Sequence, residues 1–212
     1  MSTLGLVVLP AGEPGGLAVG PGTLLGGMSL LDRAVAALSS CPDVDRVLVL
    51  TPGEPPLDAV HDGADVVVLH DASFPLVDAR AVRSVLNALQ ADPGAAAAVA
   101  VLPVTDTLKQ VAPDGAVLAT VNRAGLRVAV SPQAYRPRLL PADVAAPFRL
   151  ASPRPSDPPT PALPPGPADA AELPRALVEA GQRVVLVDAS PGAFRVRTDL
   201  DLLAARALLG EA

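Results

Sequence analysis

Residues 29–53, SLLDRAVAALSSCPDVDRVLVLTPG, read as one helix followed by one buried strand. Leu30, Leu31, Ala34, Val35 and Leu38 recur at helical spacing. Ser29 is placed to cap the helix with Asp32 three residues on, and Pro42 stops it. RVLVL (46–50) is a continuous apolar run ended by Thr51-Pro52-Gly53, as a strand covered on both faces would be. Upstream, LGLVVL (4–9) is a run of the same kind, and it ends in Pro10-Ala11-Gly12. Strand, helix and strand joined by tight turns make a βαβ unit, and that requires a parallel sheet.

The pattern continues outward. DVVVLH (65–70) is a further strand, ending in Asp71-Ala72. DARAVRSVLNALQ (78–90) is an amphipathic helix with Val82, Val85, Leu86 and Leu89 facing inward. AAAAVAVLPV (95–104) is a fourth strand that starts late in its alanine run. Residues 105–135 alternate loosely about a turn at Pro113-Asp114-Gly115, which predicts a hairpin or meander. Eight prolines between Pro153 and Pro167 keep 148–168 out of helix and sheet, so that stretch reads as a surface loop. A short helix over 170–180, a last strand RVVLVD (183–188) and a terminal helix over 199–209 capped by Gly210 complete the chain. No internal repeat is visible. The fold class is α/β: an open, mostly parallel sheet with a late β insertion, in one domain spanning 1–212. Ligands of such sheets bind outside the carboxyl ends of the strands. That singles out the loop after Leu9, Asp71 and the turn after Val104.

Composition excludes several function classes. The 212 residues are 50% hydrophobic and 18% charged, enough to build a core and too apolar for bulk disorder. Aromatics make up only 2%, with no Trp, which argues against a site that stacks bases on rings. A net charge of −6 argues against a nucleic-acid partner. The single cysteine, Cys41, excludes an internal disulfide and a cysteine-rich zinc site. No apolar run reaches the roughly 18 residues of a membrane span, and the first residues carry no signal-peptide pattern. The expectation is a soluble cytoplasmic protein. Its charge is uneven: residues 1–79 carry −8, whereas 80–212 carry +2, and Lys109 is the one lysine among 16 basic residues.

Four stretches carry a resemblance to a known family. They are VLHDASFPLVDARAV (68–82), PVTDTLKQV (103–111), ATVNRAGLRVAVSPQAYRPRLL (119–140) and VEAGQRVVLVDASPGAFRVRTDLDLLAARALL (178–209). In collinear order they resemble the HDAARPLV, P-V-x-D-T-x-K, T-V-D-R…T-P-Q and N-x-K…E-D-L segments of the 2-C-methyl-D-erythritol 4-phosphate cytidylyltransferase family. The resemblance implies a Rossmann-like, glycosyltransferase-A-like nucleotidyltransferase fold with a β-arm at 105–131. It implies cytidylyl transfer from CTP to a polyol phosphate in non-mevalonate isoprenoid synthesis, with Mg²⁺ as cofactor. Carried over position by position, Asp71 matches the metal-binding aspartate. Arg123, Lys109 and Arg195 match catalytic cations, Thr107, Ser131 and Asp106 substrate-binding positions, and Ala11 and Gly12 the nucleotide loop. Asp169 falls where the family has an acidic pair. The arm implies a homodimer. No nucleic-acid or membrane partner is implied.

The first loop departs from the family. Glu13, Pro14 and Gly16 stand where it has a glycine-rich turn and an arginine, and Gly22 stands where it has a lysine. Proline removes an amide donor, and two cations facing a triphosphate are missing. At about 1.5–3 kcal/mol for each charged hydrogen bond, two missing cations correspond to roughly two to four decades of affinity. The loop therefore predicts millimolar CTP binding, and an impaired, non-catalytic paralogue serving binding or assembly stands as the alternative function. A related transferase for another nucleotide is a third. The family's cytidine-binding stretch has no match between Leu50 and Val66, and Phe74 replaces an arginine.

Blander readings accompany each site residue. Asp71 reads equally as a turn carboxylate after a strand, Arg123 as a solvated arm charge and Lys109 as a surface lysine. His70 reads as packing. Arg195 and Arg197 alternate in strand-like FRVRT, so only one of them faces the site. His61 and Cys41 fit no pattern.

Overall fold

The structure, a computed structural model, describes residues 1–9, 19–50, 63–140, 172–190 and 192–210. Six strands form one sheet: β1 (Thr3–Val8), β4 (Arg46–Leu50), β5 (Val66–Asp71), β6 (Ala95–Pro103), β9 (Arg127–Tyr135) and β10 (Arg183–Asp188). Their spatial order is β10-β6-β9-β5-β1-β4. β1 runs parallel to both β4 and β5, and β10 runs parallel to β6. Of these six, only β9 is antiparallel to its neighbours, β5 and β6. The mostly parallel α/β sheet expected from the βαβ reading is therefore present. No helix among the described residues is long and apolar enough to cross a membrane.

Helices α1 (Leu30–Ser39) and α2 (Ala79–Ala91) cover one face, packing Ala34, Leu38, Val82, Val85, Leu86 and Leu89 onto Val7, Val66, Val68 and Ala98. Helix α3 (Glu172–Glu179) covers the other through Leu173 and Leu177, against Leu4, Leu6, Val67 and Val99. Alternate residues of each strand thus enter opposite cores, as the pleat requires. The caps follow the sequence: Ser29 Oγ accepts the Asp32 N–H at 3.0 Å, and Asp78 Oδ1 accepts those of Arg80 and Ala81. Gly5 is needed where α1 crosses β1, because a Cβ there would lie 3.0 Å from Leu38 and 3.1 Å from Val44. The alanine run forms strand from Ala95 onward, where full burial overrides alanine's helical preference.

Residues 105–135 hold the expected hairpin about Pro113-Asp114-Gly115 and then continue into an unexpected central strand. A short hairpin, β7 (Lys109–Val111) with β8 (Val117–Thr120), forms a separate two-stranded sheet. The chain then returns as β9, whose second half is buried at the centre of the main sheet. Pro132 and the polar Ser131 and Gln133 disguise a central strand in the sequence. The ladder accommodates the proline at an irregularity, since the β6–β9 register jumps from Val99↔Gln133 to Val101↔Ala129. A tight hairpin, β2 (Leu24–Leu25) and β3 (Met28–Ser29), was also hidden in a Gly-Pro-rich stretch. Its turn uses Gly26 (φ 61°) and Gly27 (φ 74°), the paired positive φ that a two-residue hairpin demands. The terminal helix α4 (Asp199–Leu208) ends on Gly210 at φ 76°. Residues 194–198 (FRVRT), read as strand-like, carry neither strand nor helix.

Candidate functional site

The site lies at the carboxyl end of β5. Asp71 is the last residue of that strand, and the chain turns sharply after it, with the Phe74 N–H donating to the Asp71 carbonyl at 3.0 Å. Asp71 Oδ1 accepts both the backbone N–H of Ser73 (2.8 Å) and its hydroxyl (2.7 Å). Oδ2 accepts from Arg195 Nη2 at 3.0 Å. The turn reading of Asp71 accounts for Oδ1, and Oδ2 is paired with Arg195.

Arg195 comes from far along the chain and is placed by its neighbour. Val196 donates its N–H to the Ser73 carbonyl at 2.7 Å, and its side chain is buried with Val19, Leu25, Leu30 and Leu202. Arg195 thus faces Asp71 whereas Arg197 is exposed, its backbone N–H bonded to Asp201. The Arg195 guanidinium also lies over the Phe74 ring, 5.3 Å from its centroid.

From the other side, the β9 irregularity brings in Ser131. Its Oγ accepts the Asp71 N–H at 3.0 Å and lies 2.8 Å from His70 Nδ1. Gln133 Nε2 donates to the Val130 carbonyl at 3.2 Å, and the Tyr135 hydroxyl donates to Gln133 Oε1, so the backbone carrying Ser131 is held by buried polar groups. His70 is fully buried, and burial pushes its pKa down to about 4. Its imidazole is neutral near pH 7, and Nε2 finds no partner among the described residues. That fits the packing reading and disqualifies it as a solvent-facing base. Leu69, Asp71, Phe74, Ser131, Gln133 and Arg195 line a cavity of about 10 Å³, room for about one water.

The structure therefore brings Asp71, Ser131 and Arg195 together. Arg123, Lys109, Thr107 and Asp106 sit instead on the exposed arm. Lys109 Nζ donates to Thr120 Oγ1 across the hairpin at 2.6 Å, and Arg123 donates to the Thr105 carbonyl. Ala11, Gly12, His61, Asp169 and the proline-rich stretch lie outside the described residues. Sequence reasoning missed Ser73 and Gln133 and treated Phe74 only as a lost cation. A serine two residues after an aspartate at a strand end was the available signal for Ser73, since such pairs close Asx turns.

Among the described residues no group of three or more His, Cys, Asp or Glu side chains could hold a metal. One carboxylate with both oxygens engaged does not make a resident cage. It does fit Mg²⁺ that arrives on phosphates, which needs only one or two protein carboxylates.

The sequence profile of the 2-C-methyl-D-erythritol 4-phosphate cytidylyltransferase (IspD) family matches residues 54–152. The cytidylyltransferase of that name from Rhodococcus jostii is 34% identical over 88% of this chain and 85% of its own length. The chain belongs to this family. The crystal structure of the cytidylyltransferase from Thermus thermophilus superposes with a TM-score of 0.63 at 26% identity, covering 97% of this chain and 98% of that one. The 4-diphosphocytidyl-2C-methyl-D-erythritol synthase of Anaerococcus prevotii superposes at 0.68 with 16% identity, over 99% and 98% of the two chains, a likeness of fold. The IspD relationship and the observed sheet agree on a Rossmann-like nucleotidyltransferase fold.

Proposed function

We propose that the chain moves CMP from CTP onto 2-C-methyl-D-erythritol 4-phosphate and releases pyrophosphate, a step of non-mevalonate isoprenoid synthesis. The observation that carries this reading is the 34% identity to a cytidylyltransferase over 88% of the chain, with Asp71, Ser131 and Arg195 gathered at the strand end where such sheets bind ligands. Beyond the departures of the first loop, no observation favours the impaired-paralogue alternative. On this reading residues 1–212 make one nucleotidyltransferase-like domain, with 105–131 as its arm and 148–168 as a proline-rich loop. The location is cytoplasmic, where CTP is available.

An oxygen of the acceptor phosphate attacks the α-phosphorus of CTP in line. The new P–O bond forms as the bond from the α-phosphorus to the bridging oxygen breaks, and pyrophosphate carries away the electron pair. The attacking phosphate is already anionic, so no general base is required, in keeping with a buried, neutral His70. Arg195 is placed to stabilise negative charge spreading over the phosphates, the electrostatic contribution that dominates phosphoryl-type transfer. Mg²⁺ held by the nucleotide phosphates and Asp71 would neutralise further charge and favour the leaving pyrophosphate. The test is pyrophosphate release with CTP, methylerythritol phosphate and Mg²⁺. Release that requires the acceptor and yields the diphosphocytidyl product supports the reading. Release with another nucleoside triphosphate alone, or none at all, overturns it.

The same reading includes a homodimer. Val117 and Leu118 on β8 are 64% and 61% exposed, and Val121 and Leu126 follow them on the arm. An isolated two-stranded hairpin is marginally stable, and exposed apolar side chains on it call for a partner surface. A two-fold pairing covers both copies at once and offers Arg123 and Lys109 to a second site. Sedimentation should give a species of about 43 kDa, twice the 21.3 kDa chain, and Val121→Asp should shift it toward monomer. A wild-type monomer at tens of micromolar would sink the proposal.

A further inference from the structure

Only three phenylalanines and one tyrosine occur in 212 residues, yet one of these rings lines the site. Phe74 is 5% exposed, and its backbone is tied to the Asp71 carbonyl through the turn after β5. The Arg195 guanidinium meets an anion and a ring together: Asp71 Oδ2 at 3.0 Å from Nη2, and the Phe74 centroid at 5.3 Å. These two contacts constrain different things. The hydrogen bond from Nη2 sets a distance to Oδ2. The aromatic face adds a restraint of a different kind, because the ring's quadrupole favours a cation lying over it. A guanidinium, flat and weakly hydrated, suits this better than a compact ammonium. Phe74 and Arg195 line the same small cavity with Ser131 and Gln133, so the orientation is fixed where a ligand's phosphate would approach.

We propose that Phe74 is a positioning residue, its ring holding the Arg195 guanidinium in the plane that presents it to a phosphate group bound over the β5–β9 cavity. The ligand class rests on the transferase reading above; the positioning itself rests on the ring and ion-pair geometry. Because the two contacts are independent, an incoming phosphate can take over the Asp71 hydrogen bond while the ring keeps Arg195 aligned.

The test combines the Arg195 Nε–Hε resonance with kinetics in Phe74→Leu, Phe74→Met and Phe74→Tyr. In the wild type the resonance should be ring-shifted and should move on adding inorganic pyrophosphate. Leu and Met keep apolar volume without a ring, and both should abolish the shift; Tyr should retain it. For catalysis, Leu and Met should lower kcat/KM by about three- to tenfold, the scale of a partly desolvated cation–π contact, and Tyr should stay within about twofold. In an Arg195→Gln background the Phe74→Leu change should cost nothing further, whereas a purely core-filling ring would cost the same in both backgrounds. An unshifted wild-type resonance, or additive losses, overturns the proposal. If the wild type turns over no CTP, the transferase reading falls, and the ring shift with its pyrophosphate response still decides the role of Phe74. Thermal unfolding of each variant separates loss of fold from loss of alignment.

Discussion

Asp71→Asn should lower the rate of pyrophosphate release by at least about 100-fold, the scale seen when one preorganised charge-stabilising group is removed from a transfer site. The substitution is nearly isosteric and leaves a carbonyl oxygen able to accept the Ser73 N–H and hydroxyl, so the turn after β5 retains its cap. The change falls on the other oxygen. An amide nitrogen in place of Oδ2 would set a donor against the donor Arg195 Nη2, now 3.0 Å from a carboxylate. Arg195 loses the Asp71 carboxylate, and on the proposed function Mg²⁺ arriving on phosphates would lose the one carboxylate lining the cavity among the described residues. Mn²⁺-induced broadening in the presence of CTP should disappear with it. Breaking a largely buried ion pair also costs stability, about 3–5 kcal/mol when the remaining charge stays uncompensated. The Asp71 side chain is 9% exposed and that of Arg195 30%, so part of this is relieved by water. Turnover measured below the unfolding transition separates the two effects. Activity within tenfold of wild type, with an unchanged manganese signal, would reduce Asp71 to its turn-capping role.

The parallel half of the sheet was open to sequence reading because burial on both faces leaves a plain mark. LGLVVL, RVLVL and DVVVLH have no polar alternation to misread, and α1 and α2 show their inward faces at helical spacing. β9 was obscured by its own function. Ser131 and Gln133 are polar because they serve buried hydrogen bonds, and Pro132 occupies a break in the ladder, so the central strand looks like loop. Local pattern cannot reveal a partner strand distant in sequence, and β9 pairs with β5 some sixty residues earlier.

The site was legible in the same uneven way. Asp71 follows a strand that pattern alone finds, and Ser131 and Arg195 were reached through family resemblance, since nothing local links residue 71 to residue 195. The link is tertiary: the Val196–Ser73 backbone bond and the small core around Val196. Sequence alone also could not show what surrounds Phe74. It reads as a cation lost, whereas the fold sets a cation from elsewhere on its ring. The arm residues Arg123 and Lys109 would, on the dimer proposal, serve a site on another copy, a relation no local pattern carries.

Gly22→Lys should tighten CTP–Mg²⁺ binding by about ten- to hundredfold, the equivalent of one added charge-assisted hydrogen bond of roughly 1.5–3 kcal/mol. Gly22 stands where the related family has a lysine, and the backbone there accepts a side chain: a Cβ would meet nothing within 4 Å. Its surroundings are already ordered. Thr23 donates its N–H to the Gly20 carbonyl at 2.9 Å and accepts the Gly20 N–H on Oγ1 at 3.0 Å, so residues 20–23 form a closed turn that a new side chain need not disturb. Location supports the direction of the effect. Val19 and Leu25, on either side of this turn, pack in one small core with Val196, the residue that sets Arg195 beside Asp71. A lysine stem grows from the segment packed beside Val196 and Arg195, with four flexible carbons to bring its ammonium to a phosphate. The acidic first 79 residues, at −8, make an added positive charge there favourable in themselves. Calorimetry at fixed salt measures the gain from a millimolar baseline, and Gly22→Gln, equally long but neutral, should recover little of it. If the lysine and glutamine variants bind CTP alike, the triphosphate lies elsewhere, and the loop before Gly22 is not its cradle.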